Sequence, residues 1–274
     1  MVRAMALANI FPSSKTAPRE IGDLLRRLRP IDVPLTRLGP EGDGGYLVPD
    51  DLDGIVGCFS PGVSGVSGFE RACADRGMAV YLADASVAGP AEAHANFHFS
   101  PTYIGLLTEG RFITLEDWVN AAQDLPAGDL MLQMDIEGFE YESLLGLSMS
   151  LQRRFRIIVV EFHDLHHLWN AKYFGLAARV FDKLLSTHHC VHIHPNNTRP
   201  SVSIDGYAIP PLMEFTFVRR DRSHGGAYAT RFPHPLDRDC SSRPHCALPP
   251  CWYQQSYRLT QSQLLRSCAV RRLW

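Results

Sequence analysis

The stretch Leu130-Met-Leu-Gln-Met-Asp-Ile-Glu-Gly-Phe-Glu-Tyr141 decides the reading of this chain. Leu130 to Met134 is a short apolar run, the mark of a buried strand. It stops at Asp135, and Asp135, Glu137 and Glu140 place three carboxylates in six residues, with Gly138 allowing a sharp turn into a following helix. Acids near a helix start are favoured by the helix dipole, which accounts for Glu137 or Glu140. It does not account for Asp135, which the turn holds at the strand end, on the side where a ligand would lie.

Outward from this stretch the same unit repeats. Ile55-Val-Gly-Cys-Phe59, Ala79-Val-Tyr-Leu-Ala83, Phe97-His-Phe99, Ile157-Ile-Val-Val-Glu161, Cys190-Val-His-Ile-His194 and Glu214-Phe-Thr-Phe-Val218 read as strands. Helical spacing appears over 20–28, 69–76, 114–119, 140–145 and 176–185, with Thr114 as an N-cap and Asp117 three residues on. Alternation of strand and helix predicts a mostly parallel sheet with helices on both faces, and the crowding of the last two strands predicts that one is antiparallel. The reading divides the chain into an arm and helix over 1–36, a catalytic domain over 37–221, and an irregular extension over 222–274 with a short helix at 261–265.

Composition sets limits on function. The chain has 274 residues, 45% hydrophobic and 20% charged, enough for a well-buried core. Its 27 basic and 29 acidic residues give a net charge of −2, which offers no broad cationic face for nucleic acid. No apolar run approaches the roughly 18 residues of a membrane span. The apolar start is broken by Asn9 and Pro12 and makes a poor secretory signal, so the expected compartment is the cytoplasm. Cys240, Cys246 and Cys251 show no metal-ligand spacing, and reduced thiols without zinc are expected.

In open α/β sheets, ligands bind beyond the carboxyl ends of the strands. The residues there are Ser60 to Gly65, Asp84, Asp135 to Glu140, Glu161 to Asp164 and His194 to Asn197. Glycines at 62, 65 and 68 permit close backbone approach to a ligand, and an acid at Asp84 can accept both hydroxyls of a ribose. Of the 12 histidines, His166, His167, His188 and His189 are expected at wet surface positions, with His163 and His194 as candidates for chemistry.

Asp135-Ile-Glu-Gly-Phe-Glu-Tyr141 after a buried strand resembles the signature of FkbM-type methyltransferases. Asp43-Gly-Gly-Tyr46, Phe69-Glu70, Leu115-Glu-Asp-Trp118, Val160-Glu-Phe-His163 and Glu214-Phe-Thr-Phe217 follow the family in the same order, over about 37–220. The resemblance implies a Rossmann-like methyltransferase sheet of seven strands with the last antiparallel, and S-adenosylmethionine as cofactor. It implies Ser60, Gly62, Glu70, Asp84, Asp117 and Asp135 as cofactor-binding, and Asp43, Tyr46 and Asn196 as facing the acceptor. The loop Phe59-Ser-Pro-Gly-Val63 departs from the acid-led Gly-x-Gly of many methyltransferases.

The implied reaction places a methyl group on a hydroxyl of a sugar or another small polar acceptor. An alcohol must lose its proton, and Glu137, Glu161, His163 and His194 are the candidates to take it. Asp135, Glu161, His163 and His194 together could instead hold a divalent ion, and a lone base is preferred. Two rival readings share the fold. A nucleotide-binding enzyme, such as one using NAD, would want a Gly-x-Gly-x-x-Gly that is lacking; a non-catalytic binding protein would have lost the strand-end acids, which are present.

Overall fold

The computed structural model describes residues 13–63, 65–122, 125–223, 225–254 and 257. The expected helix at 261–265 lies outside them. The seven strands of the central sheet are β3 (Ile55–Pro61), β4 (Ala79–Ala83), β5 (Phe97–Ser100), β8 (Asp129–Met134), β9 (Phe155–Phe162), β10 (His188–Pro195) and β13 (Met213–Arg219). They stand in the order β10-β13-β9-β8-β3-β4-β5. β13 runs antiparallel to both of its neighbours, and the other pairings are parallel. All seven strands read from the sequence are there, and the last in the chain is the reversed one, giving a mixed, mostly parallel sheet of the Rossmann-like methyltransferase kind.

Three short pairings were not legible in the sequence. These are the hairpin of β1 (Leu35–Leu38) with β2 (Tyr46–Pro49), the pair β6 (Tyr103–Gly105) and β7 (Phe112–Thr114), and the hairpin of β11 (Val202–Ile204) with β12 (Tyr207–Ile209). Strands of three or four residues carry too little alternation to stand out from loops. β2 matters for the fold, because it lies on one face of the sheet and is pinned there by buried Thr216, whose hydroxyl donates to Leu47 O at 2.6 Å.

The apolar runs alternate between two cores. On one face Phe59, Leu132, Ile158, Phe215 and Phe217 pack with α1 (Pro18–Arg27), α3 (Leu115–Asn120), α4 (Glu140–Gly146), α5 (Met149–Gln152) and α6 (Ala171–Thr187). On the other, Cys58, Val80, Met131, Ile157 and Val218 pack with α2 (Gly68–Ala74) and the β1–β2 hairpin. A sheet buried on both faces demands continuous apolar strands, which is what these sequences supply. Thr114 caps α3 as expected, accepting from Asp117 N at 3.0 Å. The extension is likewise tied to the core: Trp252 is fully buried, and its indole N–H donates to Ala208 O at 3.0 Å.

The amino end of the sheet is locked by charge. Buried Arg156 on β9 donates to Asp129 Oδ2 at 2.8 Å and to the carbonyls of Asp51 and Asp53, while Arg219 on β13 binds the other oxygen of Asp129 at 2.5 Å. His188 corrects the surface expectation, since it is 0% exposed. Its sequence neighbours are polar, but β10 begins beneath α6 and carries it inward. Its Nε2–H donates to Phe155 O at 2.8 Å, and Nδ1 lies 2.7 Å from Thr187 Oγ1, so the ring is held neutral.

Burial pushes the pKa of His188 down to about 4. The unfolded chain therefore binds a proton that the folded one refuses, and the contribution is complete above the unfolded value near 6.5 and lost as pH falls from there toward 4. Urea unfolding at pH 7.5 and pH 5 should show the native protein losing on the order of 2 kcal/mol more on acidification than His188→Gln does. Equal losses in both proteins would remove His188 from this role.

Candidate active site

The carboxyl ends of β3, β4 and β8 enclose a cavity of about 280 Å³, lined by Gly62, Ala83, Asp84, Ser86, Asp135, Ile136 and Glu137, and walled by Tyr103, Ile104, Phe112 and Phe139. It lies at the switch point of the sheet, since β3 is followed by β4 on one side and has β8 on the other. Gly62 is what lets β3 and β8 meet there. Its φ is +93°, and a Cβ at that position would come 1.6 Å from Asp135 O. The turn is pinned by Gly62 N donating to Ala83 O at 3.0 Å and Asp135 N donating to Pro61 O at 3.3 Å.

Asp84 sits on the cavity wall with its carboxylate fixed by one oxygen. Ser86 donates to Oδ1 from both its backbone N and its hydroxyl, each at 2.6 Å. Ser60 and Glu70 are elsewhere. Both are buried beneath the loop, where Ser60 Oγ lies 2.6 Å from Glu70 Oε1 and 2.5 Å from the side-chain amide of Gln133. One hydroxyl proton serves one acceptor, so the Gln133 amide turns its N–H₂ toward Ser60 when Glu70 takes that proton. Asp117 is on the exposed side of α3, bound to Thr108 Oγ1, and does not line the cavity.

The second half of the site is built on Glu140. Its side chain is fully buried and its Oε1 accepts from Ile136 N at 3.2 Å, Gly138 N at 3.0 Å and His163 Nδ1 at 3.0 Å. This one oxygen ties the turn after β8 to the end of β9. The turn is strained as well as short, with Glu137 at φ +56° and Gly138 at φ +106°. The backbone of His163 is held in turn by Tyr141 and Tyr173, whose hydroxyls donate to its carbonyl at 2.9 and 3.0 Å.

With Nδ1 donating to Glu140, the neutral ring of His163 leaves Nε2 as an acceptor. Nε2 faces Glu137 Oε2 at 3.3 Å and Asp135 Oδ1 at 3.8 Å. Burial works against charge on this ring, but the bond to Glu140 and the charges of Glu140, Asp135 and Glu137 prevail and raise its pKa to about 8. Burial raises Asp135 to about 7, with His163 opposing the shift and neighbouring carboxylates adding to it. Asp135 and His163 thus exchange protons near neutrality as one unit.

The four residues offered as a possible metal set do not form one cluster of ligand atoms. Asp135 and His163 come together, but their third partner is Glu140, and these three offer ligand atoms within 4.8 Å of one another. Glu161 is outside that group of three and accepts from Asn196 Nδ2 at 2.8 Å. His194 is taken up by the extension: Nε2 donates to Arg238 O at 3.0 Å, and Nδ1 lies 3.5 Å from Asp237 Oδ2. Asp237 Oδ1 also lies 2.9 Å from His192 Nε2, close but poorly aligned for a directed hydrogen bond. Burial opposes charge on Asp237, yet the two rings hold its carboxyl well below the usual range.

Glu161 and Glu214 are buried opposite one another in the register of β9 and β13. Burial pushes both carboxyls above their ordinary range; the charges of Asp135 and Glu214 add to the shift of Glu161, whereas His194, Cys240 and His192 oppose that of Glu214. Asp43 adds to the negative field on Asp135 and Glu161, and the hydroxyl of buried Tyr46 feels the charges of Asp135, Glu161 and Glu214. Asp43, Tyr46, Asn196 and the strand-end acids therefore occupy one neighbourhood behind Asp135.

Residues 113–190 match the family model described as the methyltransferase FkbM domain. Over that span the chain is similar to an FkbM methyltransferase domain. The matched span holds Asp135, Glu137, Glu140, Glu161 and His163, and leaves Gly62 and Asp84 outside it. No curated protein matches the chain. That family implies S-adenosylmethionine as methyl donor, and the residues present would fit it: Asp84 at the second strand end, with no bond to its second oxygen among the described residues, a side-chain-free approach at Gly62, and aromatic walls beside them. Among the described residues, no helix is long and apolar enough to cross a membrane.

Sequence reasoning missed Glu140 as the organiser, although its spacing from Asp135 was visible, and it missed the walls Tyr103, Phe112 and Phe139, which carry no polar signal. Phe232-Pro-His-Pro-Leu-Asp237 also resembles long members of the family, but nothing in it announced that Asp237 pairs with His192 and His194, more than 40 residues away. Two substitutions test the cavity by calorimetry with S-adenosylhomocysteine. Asp84→Ala should weaken binding by roughly 1–3 kcal/mol through loss of charge-assisted bonds. Gly62→Ala should weaken it at least as much, by forcing β3 away from Asp135. Native affinity in either variant would contradict the placement of the cofactor here.

Proposed function

We propose that the enzyme methylates a hydroxyl group of a sugar or another small polar acceptor, with His163 taking the proton. The observation that carries this reading is the Glu140–His163–Asp135 arrangement, in which a buried carboxylate fixes the tautomer and leaves Nε2 as acceptor beside the cofactor cavity. Bound S-adenosylmethionine supplies a methyl group already activated for transfer. The chain's own task is then alignment and proton removal. As the acceptor oxygen gains the methyl group, its proton passes to His163 Nε2, and the charge this creates is balanced by Glu140 and Asp135.

Gly62, Asp84 and Asp135 bind the cofactor in this account, Ser60 and Glu70 shape the loop beneath it, and Asp43, Tyr46 and Asn196 face the acceptor. Glu161 and His194 are held by other partners and serve as positioning residues rather than as the base. The catalytic unit spans 37–221 and the extension 222–274, of which Asp237 and Arg238 hold His194, and we place the protein in the cytoplasm. A second reading rests on the same three side chains: Asp135, Glu140 and His163 could hold a divalent ion that lowers the pKa of the acceptor hydroxyl.

Methyl transfer to a panel of sugars and hydroxylated metabolites, followed as S-adenosylhomocysteine release, separates these readings. The base reading expects kcat/KM to rise with pH and level off above about 8, as His163 loses its proton. It expects His163→Gln to lose about 10²- to 10⁴-fold in kcat with cofactor affinity intact, and turnover to survive chelation. Activity abolished by chelator and restored by magnesium or manganese would instead establish the metal. Binding of NAD without S-adenosylmethionine would refute both.

A further inference from the structure

At the opposite edge of the sheet, where β10 begins and β13 ends, a second cavity of about 580 Å³ opens. Arg29, which follows α1, lines it and is only 9% exposed. Its guanidinium stacks 3.9 Å from the ring centroid of Tyr228, and its buried Nε has no hydrogen-bond partner among the described residues. A buried guanidinium N–H left without an acceptor is costly, and an anion bound by the same guanidinium offsets that cost. The fold brings Arg29 there deliberately: Ile31 N donates to Cys190 O at 2.9 Å, and Ala229 N donates to Pro30 O at 2.9 Å, so the segments bearing Arg29 and Tyr228 are stitched to each other and to β10.

The charge around it is one-sided. Arg27 and Arg220 also line the cavity against one carboxylate, Asp182, which is paired with Arg27. Arg220 is held in place by Leu185 O, to which Nε and Nη2 donate at 3.0 and 2.7 Å. His189 lies 3.4 Å from Arg220 Nη1, and burial together with that guanidinium lowers its pKa, so it meets a ligand as a neutral ring. Ile31, Leu185 and Cys190 supply an apolar wall beside these groups.

We infer that this cavity is a second binding site, separate from the methyl-transfer site, for a small organic oxyanion. Arg29 and Arg220 bind its carboxylate or phosphate head, and the apolar wall takes its body. The two head groups share the chemistry that a guanidinium recognises, paired acceptor oxygens in one plane.

Thermal unfolding and calorimetry with inorganic phosphate and, separately, succinate, each against chloride at equal ionic strength, test the site. The native protein should bind at least one of the two saturably. Phosphate alone would assign a phosphorylated ligand, and succinate alone a carboxylated one. Arg29→Gln should weaken binding by roughly tenfold or more, the loss of a charge-assisted pair, while its affinity for S-adenosylhomocysteine stays native. Should Arg29→Gln fail to fold, Arg220→Gln carries the same expectation from a more exposed position. Absence of saturable binding of either anion by the native protein overturns the proposal. So does undiminished binding in both variants, which would mark the response as an adventitious ion only.

Discussion

A single carboxylate oxygen, Glu140 Oε1, organises the chemistry of this protein. Two backbone amides of the turn after β8 and one ring nitrogen at the end of β9 converge on it. Without that acceptor, the left-handed Glu137 and Gly138 would lose what over-determines them, and His163 would be free to choose its tautomer. The same bond raises the basicity of His163 and aims its other nitrogen at Asp135. Local strain, tautomer and proton affinity therefore share one cause.

The turn can sit there because Gly62 clears the way. The close approach of β3 to the Asp135 carbonyl sets the floor of the cavity, and Asp84 on the next strand sets its side. A Rossmann-like sheet places these three strand ends together by topology alone, so its contribution to function is to converge them. The side chains that arrive there decide what is bound. The two ends of the sheet are treated differently: the carboxyl end gathers buried acids whose pKa values burial raises, and the amino end gathers arginines, some paired with Asp129 and Asp51 and one, Arg29, whose buried Nε has no partner among the described residues.

The central sheet was legible because its strands are buried on both faces and so must be apolar throughout, a pattern that survives in one dimension. Asp135 was legible for the opposite reason, as a charge that packing does not explain. What the sequence hid was partnership across distance. His194 looked available because Asp237 comes from the extension 43 residues further along, and Glu161 looked available because nothing local announces Asn196 as its donor. His188 looked wet because polar neighbours suggest a surface, whereas its burial follows from where β10 enters the sheet. The aromatic wall of Tyr103, Phe112 and Phe139 sits on two-stranded and turn elements too short for any periodicity to reveal.

Glu140 fixes His163 with its proton on Nδ1 and a raised pKa. Nitrogen-15 NMR of the His163 ring across pH 5–10, in the native protein and in Glu140→Gln, measures both properties at once. The native protein should show a neutral Nδ1–H tautomer and a midpoint of about 8, with the midpoint falling and the tautomer preference weakening in Glu140→Gln. A native ring that carries its neutral proton on Nε2, or that titrates near the unperturbed value of about 6.5, would contradict it.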